Sequence, residues 1–121
     1  MFRFNHFNFN VLNLEKSLDF YKKALGFEPV RKVDTDDFTL MFLGDGSGTF
    51  SLELTCLKNR TKPYDIGEAE FHLAVTAADM AAARKLHEQM RAVVFTNEAM
   101  GIYFIEDPDG YWIEIIPEKV R

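Results

Sequence analysis

The sequence predicts an α+β fold built from two copies of one strand–helix–three-strand unit, written βαβββ. Three observations carry this prediction. His6 and His72 each lie in a strand-like segment seven residues before a helix-capping residue, Asn13 and Asp79 respectively. An amphipathic helical segment follows each cap. A short segment with one Glu between apolar residues closes each half, FSLEL at 50–54 and YWIEI at 111–115.

The first half begins with an alternating strand at 2–11. One parity holds Asn5, Phe7, Phe9 and Val11, and the other holds Phe4, His6, Asn8 and Asn10. Asn13 is expected to cap a helix that ends before Gly26, with a buried face formed by Leu14, Leu18, Tyr21 and Leu25. Strands are then expected at 27–33, 36–43 and 49–57. The segment GDGSG at 44–48 is expected to form a hairpin turn rather than a phosphate loop, because no helix follows it.

The second half repeats this order. A strand is expected over 70–76, then a helix from Met80 to about Met90, then strands at 93–95, 101–105 and 111–116. The EDPDG segment at 106–110, with Asp107, Asp109 and Gly110, predicts a turn. The polar stretch with Pro63 and Gly67 predicts a linker. We therefore expect one domain over 1–121, with module one at about 1–58, a linker at about 59–68 and module two at about 69–121, because neither half buries both its helix face and its sheet face alone.

Composition narrows the class of protein. The chain has 121 residues, a net charge of −5, 47% hydrophobic and 27% charged residues, which is typical of a folded domain. The acidic balance and the lack of a Lys/Arg cluster argue against nucleic acid as a partner. No apolar run is long enough to cross a membrane, and MFRFNHFNF is too polar for a signal peptide, so we expect a cytoplasmic protein. The single Cys56 excludes an internal disulfide and a Cys-based zinc cluster, and its parity predicts an inert core position.

Four side chains are out of place in a purely structural sheet: His6, Glu53, His72 and Glu114. A carboxylate between Leu and Ile residues is unfavourable when buried without a partner, so each Glu either faces water or meets a cation. The parity of each strand puts the His or Glu on the more polar face. If the first and last strands of each half pair, the His and Glu side chains meet.

Two imidazoles and two carboxylates are typical ligands of a first-row transition metal. They suit nickel, cobalt, zinc, iron or manganese, and the absence of thiolate disfavours a purely structural zinc. Four protein ligands around a metal that prefers six leave two positions for substrate or water, which is a catalytic arrangement. A single His in a strand is more often structural, and a strand Glu can face water, but the repeated placement favours ligands.

The chain as a whole resembles the vicinal oxygen chelate superfamily, and within it the glyoxalase I branch. The resemblance rests on residues 6–27 (HFNFNVLNLEKSLDFYKKALGF), 52–55 (LELT), 71–75 (FHLAV) and 106–116 (EDPDGYWIEII). It implies that the two modules curve into an open, barrel-like mixed sheet, the glyoxalase/bleomycin-resistance/dioxygenase fold. It also implies a homodimer with metal sites at the subunit interface, where His6 and Glu53 of one chain meet His72 and Glu114 of the other.

The resemblance also implies an activity. Glyoxalase I-like lyases convert the hemithioacetal of an α-oxoaldehyde, such as methylglyoxal, and a thiol into an α-hydroxy thioester. It implies one divalent metal per site, with nickel or cobalt favoured and zinc possible. By the same resemblance, Glu114 is the principal base, and Glu53 is a ligand and the alternate acid or base.

Two departures from the family pattern bear on the substrate. The glutathione-using relatives carry an Arg where this chain has Asn10, and an Asn where it has Leu57. Both changes remove polar contacts to the peptide part of the thiol. The alternatives are therefore another thiol, an epimerase-like metalloenzyme of the superfamily that acts on a different small substrate, or a small-ligand-binding protein without catalysis.

Two other residues have less specific predictions. His87 lies on the second helix among Ala, Arg, Lys and Glu residues, and is expected to be structural or solvated. Trp112 shares its parity with Glu114, which is compatible with a pocket wall, with core packing or with a subunit interface.

Overall fold

The computed structural model describes residues 1–119, and the chain divides into two compact units. The first unit is Met1–Asp65, and the second begins at Ile66. This division falls inside the predicted linker. Each unit contains one helix and one open four-stranded mixed sheet, so the predicted α+β class and the βαβββ order are confirmed.

The first unit contains β1 (His6–Asn10), α1 (Leu14–Leu25), β2 (Glu28–Asp34), β3 (Phe38–Gly44) and β4 (Ser51–Leu57). The strand order across the sheet is β1-β4-β3-β2. β1 runs parallel to β4, and the other neighbouring strands are antiparallel. The first and last strands of the unit are therefore neighbours, as the metal-site prediction requires.

The second unit has the same connectivity. It contains β5 (His72–Ala77), α2 (Met80–Gln89), β6 (Val93–Asn97), β7 (Ile102–Glu106) and β8 (Trp112–Pro117). The strand order is β5-β8-β7-β6, again with a parallel pair between the first and last strands. No helix within residues 1–119 is long and apolar enough to cross a membrane.

The predicted helix caps are present. The Asn13 side chain accepts a hydrogen bond from the Lys16 backbone N–H at 3.1 Å, and the Asp79 side chain accepts one from Ala82 at 3.0 Å. Each satisfies a backbone donor that the first helical turn leaves without a partner. Gly26 ends α1 with φ of 70°, the left-handed conformation that glycine adopts without a steric penalty.

The buried face of α1 differs from the prediction. Its buried centre is Ser17, Tyr21 and Ala24, of which only Tyr21 was predicted. The other predicted residues, Leu14, Leu18 and Leu25, are only partly buried. Because Ser17 and Ala24 are small, the centre of this helix face can lie close to the sheet. The apolar spacing predicted the correct side of α1 but not the residues at the centre of its buried face.

The first strand is shorter than the alternation predicted. Phe2 and Phe4 are 98% and 93% exposed, and β1 begins only at His6. A strand needs a partner, and His6 pairs with Ser51, the first residue of β4. The alternating pattern continues upstream of His6, but β4 does not extend to pair with it.

A histidine is buried behind the second sheet. His87 is only 2% exposed, and its Nδ1 lies 2.7 Å from the Tyr103 hydroxyl. The Arg84 guanidinium lies 5.1 Å from the centre of the same Tyr103 ring. The structural interpretation of His87 is therefore correct and the solvated one is wrong, because its polar ring atom has a partner inside the unit.

Removing the Tyr103 hydroxyl is expected to destabilise the protein. Tyr103→Phe deletes the buried hydrogen bond to His87, and we expect the free energy of unfolding to fall by about 1–3 kcal/mol. Tyr64→Phe is a matched control, because the buried Tyr64 hydroxyl has no hydrogen-bond partner within residues 1–119 and its removal is expected to be neutral or stabilising. Urea unfolding of both variants checks this, and equal effects of the two substitutions would contradict it.

The contribution of Tyr103 to the free energy of unfolding is also expected to depend on pH. Burial raises the pKa of Tyr103 from 10.0 to about 12, and Glu88 adds to the rise while Arg84 opposes it. The unfolded chain loses this proton first as the pH increases, so the contribution is present below pH 10 and is lost between pH 10 and about 12. The difference in unfolding free energy between wild type and Tyr103→Phe should shrink over that range. A difference that stays constant from pH 9 to 12 would count against the prediction.

Candidate metal centre

The first unit brings two of the predicted ligands together. His6 Nε2 lies 3.5 Å from Glu53 Oε1. Strand register explains this contact, because Asn8 pairs with Glu53 and His6 is two residues earlier on the same face of parallel β1. Asn5 Oδ1 lies 2.6 Å from His6 Nδ1, which orients the ring and leaves Nε2 directed at the carboxylate.

The second unit repeats this pair with the same register. His72 Nε2 lies 3.3 Å from Glu114 Oε1, and Ala74, two residues after His72, pairs with Glu114. The exposures match as well. The two His side chains are 40% and 43% exposed, and the two Glu side chains are 13% and 12% exposed. Each half of the chain therefore presents an accessible imidazole next to a shielded carboxylate.

A phenylalanine supports each pair, and sequence reasoning did not single it out. The His6 ring meets Phe42 edge to face with centroids 5.6 Å apart, and the His72 ring meets Phe104 in the same way at 5.1 Å. Phe42 pairs with Glu53, and Phe104 pairs with Glu114. These rings pack against the imidazoles and limit their rotation. The sequence pattern does not mark either Phe residue, because its position opposite the Glu of its half appears only in the strand register.

The donor atoms of each pair are spaced as two ligands of one metal ion would be. Nitrogen and oxygen ligands about 2.0–2.2 Å from a metal lie roughly 3.0–3.5 Å from each other at coordination angles between square and tetrahedral. Within residues 1–119, no group of three or more His, Cys, Asp or Glu residues gathers into one cluster. Each unit therefore brings two candidate ligands together, and the four-ligand centre stays a prediction.

Aromatic side chains line the face of the second sheet that carries His72. Trp112 contacts Phe104 at 5.3 Å and stacks on Phe95 at 6.4 Å between ring centroids, and its Nε1 donates to Glu106 Oε1 at 3.2 Å. Phe95 is 49% exposed. The Trp112 side chain therefore lies on the same face as Glu114, beside the His72–Glu114 pair.

The remaining predicted residues have structural surroundings. Cys56 is half-buried, with its Sγ 3.8 Å from the Leu12 carbonyl. Asp107 is buried and accepts hydrogen bonds from the backbone N–H groups of Asp109 and Tyr111, which agrees with the predicted turn. Asn10 and Leu57 lie at the last positions of β1 and β4.

Comparison with known proteins places the chain in a family. The family model of the Glyoxalase/Bleomycin resistance protein/Dioxygenase superfamily matches residues 3–115. Since this match covers nearly the whole chain, the protein belongs to that superfamily, and its α+β architecture of two βαβββ units is that of the family. Within this superfamily, the glyoxalase I family implies a divalent metal cofactor, and the repeated His–Glu pairs provide donors suited to one.

Similar proteins within the superfamily include glyoxalase I enzymes. The lactoylglutathione lyase of Neisseria meningitidis is 41% identical over 97% of this chain and 91% of the relative. The lactoylglutathione lyase of Escherichia coli O157:H7 is 36% identical over 97% of this chain and 93% of the relative. The structure of the trypanothione-dependent glyoxalase I of Leishmania major superposes with a TM-score of 0.88, at 34% identity over 98% of this chain and 88% of that one.

Proposed function

We propose that this chain is a glyoxalase I-like lyase, which isomerises the hemithioacetal of an α-oxoaldehyde and a thiol to an α-hydroxy thioester. The observation that carries the proposal is the repeated His–Glu pair, which has the same register and nearly the same distance in both units. Similarity to lactoylglutathione lyases over almost the whole chain supports the same activity. Methylglyoxal detoxification is the corresponding role.

The proposed metal ligands are His6, Glu53, His72 and Glu114, which hold one divalent ion per site. Nickel or cobalt is favoured and zinc is an alternative, since nitrogen and oxygen donors serve all three. A divalent metal, when bound, supplies a Lewis acid that polarises the two neighbouring substrate oxygens and offsets the charge of the enediolate.

The proton transfer is assigned to the carboxylates. Glu114 removes the proton from the substrate carbon and returns it to the adjacent carbon, and Glu53 is a ligand and the alternate acid or base. The Glu114 carboxylate is only 12% exposed and lies next to Phe104. Such shielding limits exchange of the abstracted proton with water and keeps the base close to the carbon that it serves.

The complete centre is proposed to form in a homodimer. Each unit supplies two donors, whereas an open catalytic site with six-coordinate metal uses more protein ligands than a single His–Glu pair provides. A homodimer in which the first unit of one subunit meets the second unit of the other would supply four ligands to each of two equivalent sites. Under this proposal the two units of each chain act as one vicinal oxygen chelate domain. The cytoplasmic location stays a prediction.

The identity of the thiol is a separate question. The relatives differ in their thiol. Those of Neisseria meningitidis and Escherichia coli are lactoylglutathione lyases, and that of Leishmania major is trypanothione-dependent. Asn10 and Leu57 lack the charge and the amide that the glutathione-using pattern carries. We therefore propose that the thiol part of the substrate is not restricted to glutathione.

The direct test is an isomerase assay with methylglyoxal and a panel of thiols, with nickel, cobalt or zinc added to metal-stripped protein. We expect thioester formation with at least one thiol, and about one metal ion per site by elemental analysis of protein purified without added metal. His6→Ala should lose that metal. A protein that binds the adduct without turning it over under any metal would instead support a ligand-binding function.

Metal binding has an optical readout that does not depend on turnover. The chain contains one Trp, and Trp112 lies on the same sheet face as Glu114, two residues before it. Cobalt or nickel added to metal-stripped protein is expected to quench the Trp112 fluorescence to saturation at stoichiometric metal. The His72→Ala variant should require much more metal for the same quenching. Equal titrations for the variant and the wild type would remove His72 from the ligand set.

A further inference from the structure

A groove of about 430 Å³ lies beside the His6–Glu53 pair in the first unit. Asn5 and Ser51 line the end nearest His6, and Arg31 and Phe42 form one wall. The opposite wall belongs to the hairpin between β3 and β4, over residues 44–50. Because Asn5 contacts the His6 ring, one end of the groove adjoins the candidate metal centre.

Arg31 is the cation of this groove. The register of β2 shifts between Pro29 and Arg31, after which Arg31 pairs with Phe42 and lies on the face that carries His6. Its guanidinium carbon lies 5.1 Å from the centre of the Phe42 ring, and this ring in turn contacts His6. Within residues 1–119 no carboxylate forms an ion pair with Arg31, although the side chain is exposed. A positioned guanidinium without a counter-ion is suited to bind an anion from solution.

The hairpin leaves space for such an anion. Gly46 and Gly48 have φ of 94° and 77°, in the left-handed region, so side chains there are disfavoured. A Cβ at Gly44 would come within 3.0 Å of Val30 Cγ1. The wall that faces Arg31 is therefore made largely of backbone.

This groove is distinct from the positions at which the family pattern is broken. Asn10 and Leu57 end β1 and β4, whereas the groove is lined by Asn5 and Ser51 at the beginning of the same parallel strands. Arg31 does not stand in for the Arg missing at position 10. The positive charge of Arg31 lies near the beginning of β1 and β4, whereas Asn10 lies at the end of β1.

We propose that Arg31 and this groove bind a carboxylate carried by the substrate, and so select anionic hemithioacetals over neutral ones. This inference rests on the proposed function. Guanidinium and carboxylate match as a two-hydrogen-bond pair, and the Phe42 ring holds the guanidinium in place. The carboxylate comes either from the thiol or from the aldehyde, since both parts of the adduct lie next to the metal.

Four adducts separate the two sources. Methylglyoxal or 4,5-dioxopentanoate, which carries a carboxylate on the aldehyde, is combined with 2-mercaptoethanol or with 3-mercaptopropionate, which carries one on the thiol. In Arg31→Ala the ratio of kcat/KM for a carboxylated adduct to that for the neutral adduct is expected to fall about tenfold or more. If the ratio falls for the adduct with the carboxylated thiol, Arg31 binds the thiol part, and if it falls for the adduct with the carboxylated aldehyde, Arg31 binds the aldehyde part. Arg31→Lys should retain part of the preference, because it keeps the charge but not the paired hydrogen bonds.

Lys32→Ala is the matched control. It removes the same charge from the neighbouring residue, which pairs with Met41 on the opposite face of the sheet. We expect its adduct ratios to equal those of wild type. If Arg31→Ala leaves both ratios unchanged, or if Lys32→Ala lowers them equally, the groove does not recognise a carboxylate and the inference is wrong.

Failure of the proposed function is recognised separately. A wild-type protein that forms no thioester from any adduct would contradict the lyase activity. The groove is still tested in that case by calorimetric binding of the four product thioesters to wild type and Arg31→Ala. Weaker binding of the carboxylated thioesters to Arg31→Ala, relative to the neutral one, supports the inference, and equal relative affinities overturn it.

Discussion

Replacing Glu114 with Gln is expected to remove most of the isomerase turnover while much of the metal is retained. The amide oxygen of Gln can still contact a metal, but the side chain can no longer accept a proton from carbon. General-base catalysis contributes about 10²–10⁴-fold, so we expect kcat to fall by that order. Gln is similar in shape to Glu, and the neighbouring Phe104 should pack against it unchanged.

The measurement combines kcat with elemental analysis of the same preparation. Glu106→Gln is a suitable control, because Glu106 is an exposed carboxylate on β7 that accepts a hydrogen bond from Trp112 but is not a proposed ligand. It should retain turnover. Wild-type-like turnover in Glu114→Gln would remove Glu114 from the role of base. Loss of both metal and turnover would show Glu114 to be mainly a ligand.

The order and type of every element could be predicted from the sequence because the local signals agree. Asn13 and Gly26 bracket α1, and Asp79 opens α2. Glycine-containing turns separate β3 from β4, β6 from β7 and β7 from β8. The ends of elements were less well predicted because they depend on a partner. β1 begins at His6, where β4 starts, although alternation continues upstream to Phe2.

The His and Glu positions were predictable for a different reason. Each residue conflicts with an otherwise apolar or structural pattern, and the conflict occurs twice. Their contact follows from pairing of the first and last strands, which could be stated from the sequence only as a condition; the register shows that this pairing is present and parallel. The supporting residues gave no such conflict, because Phe42 and Phe104 are ordinary apolar strand residues. Only the structure identifies the imidazole that each ring contacts and the Glu that it lies opposite.

Arg31 was not predictable at all as a site residue. Its neighbours Lys32 and Asp34 are also charged, so composition indicates only a solvated edge strand. The register shift in β2 places Arg31 over Phe42 on the same face as His6, and a shift of this kind is not visible in an alternating pattern. The face on which Arg31 lies can therefore be identified only from the folded structure and not from the sequence.

Mixing two inactive variants is expected to restore activity if the centre is shared between subunits. His6→Ala and His72→Ala should each lose metal and turnover as homodimers. In a heterodimer of the two, one site combines both mutated units and the other combines both intact units. Co-expression with two different affinity tags isolates this heterodimer, and we expect about half of the wild-type turnover and metal content per dimer.

The reciprocal heterodimer makes the test decisive. Wild type paired with the double variant His6→Ala/His72→Ala has one mutated unit in each shared site, so it is expected to be nearly inactive. Sites formed within single chains predict the opposite results: half activity for this heterodimer, and none for the pair of single variants. If no heterodimer forms under either co-expression, the homodimer proposal is wrong. The same number of mutated histidines is present in both heterodimers, so a general loss of stability cannot produce the expected difference between them.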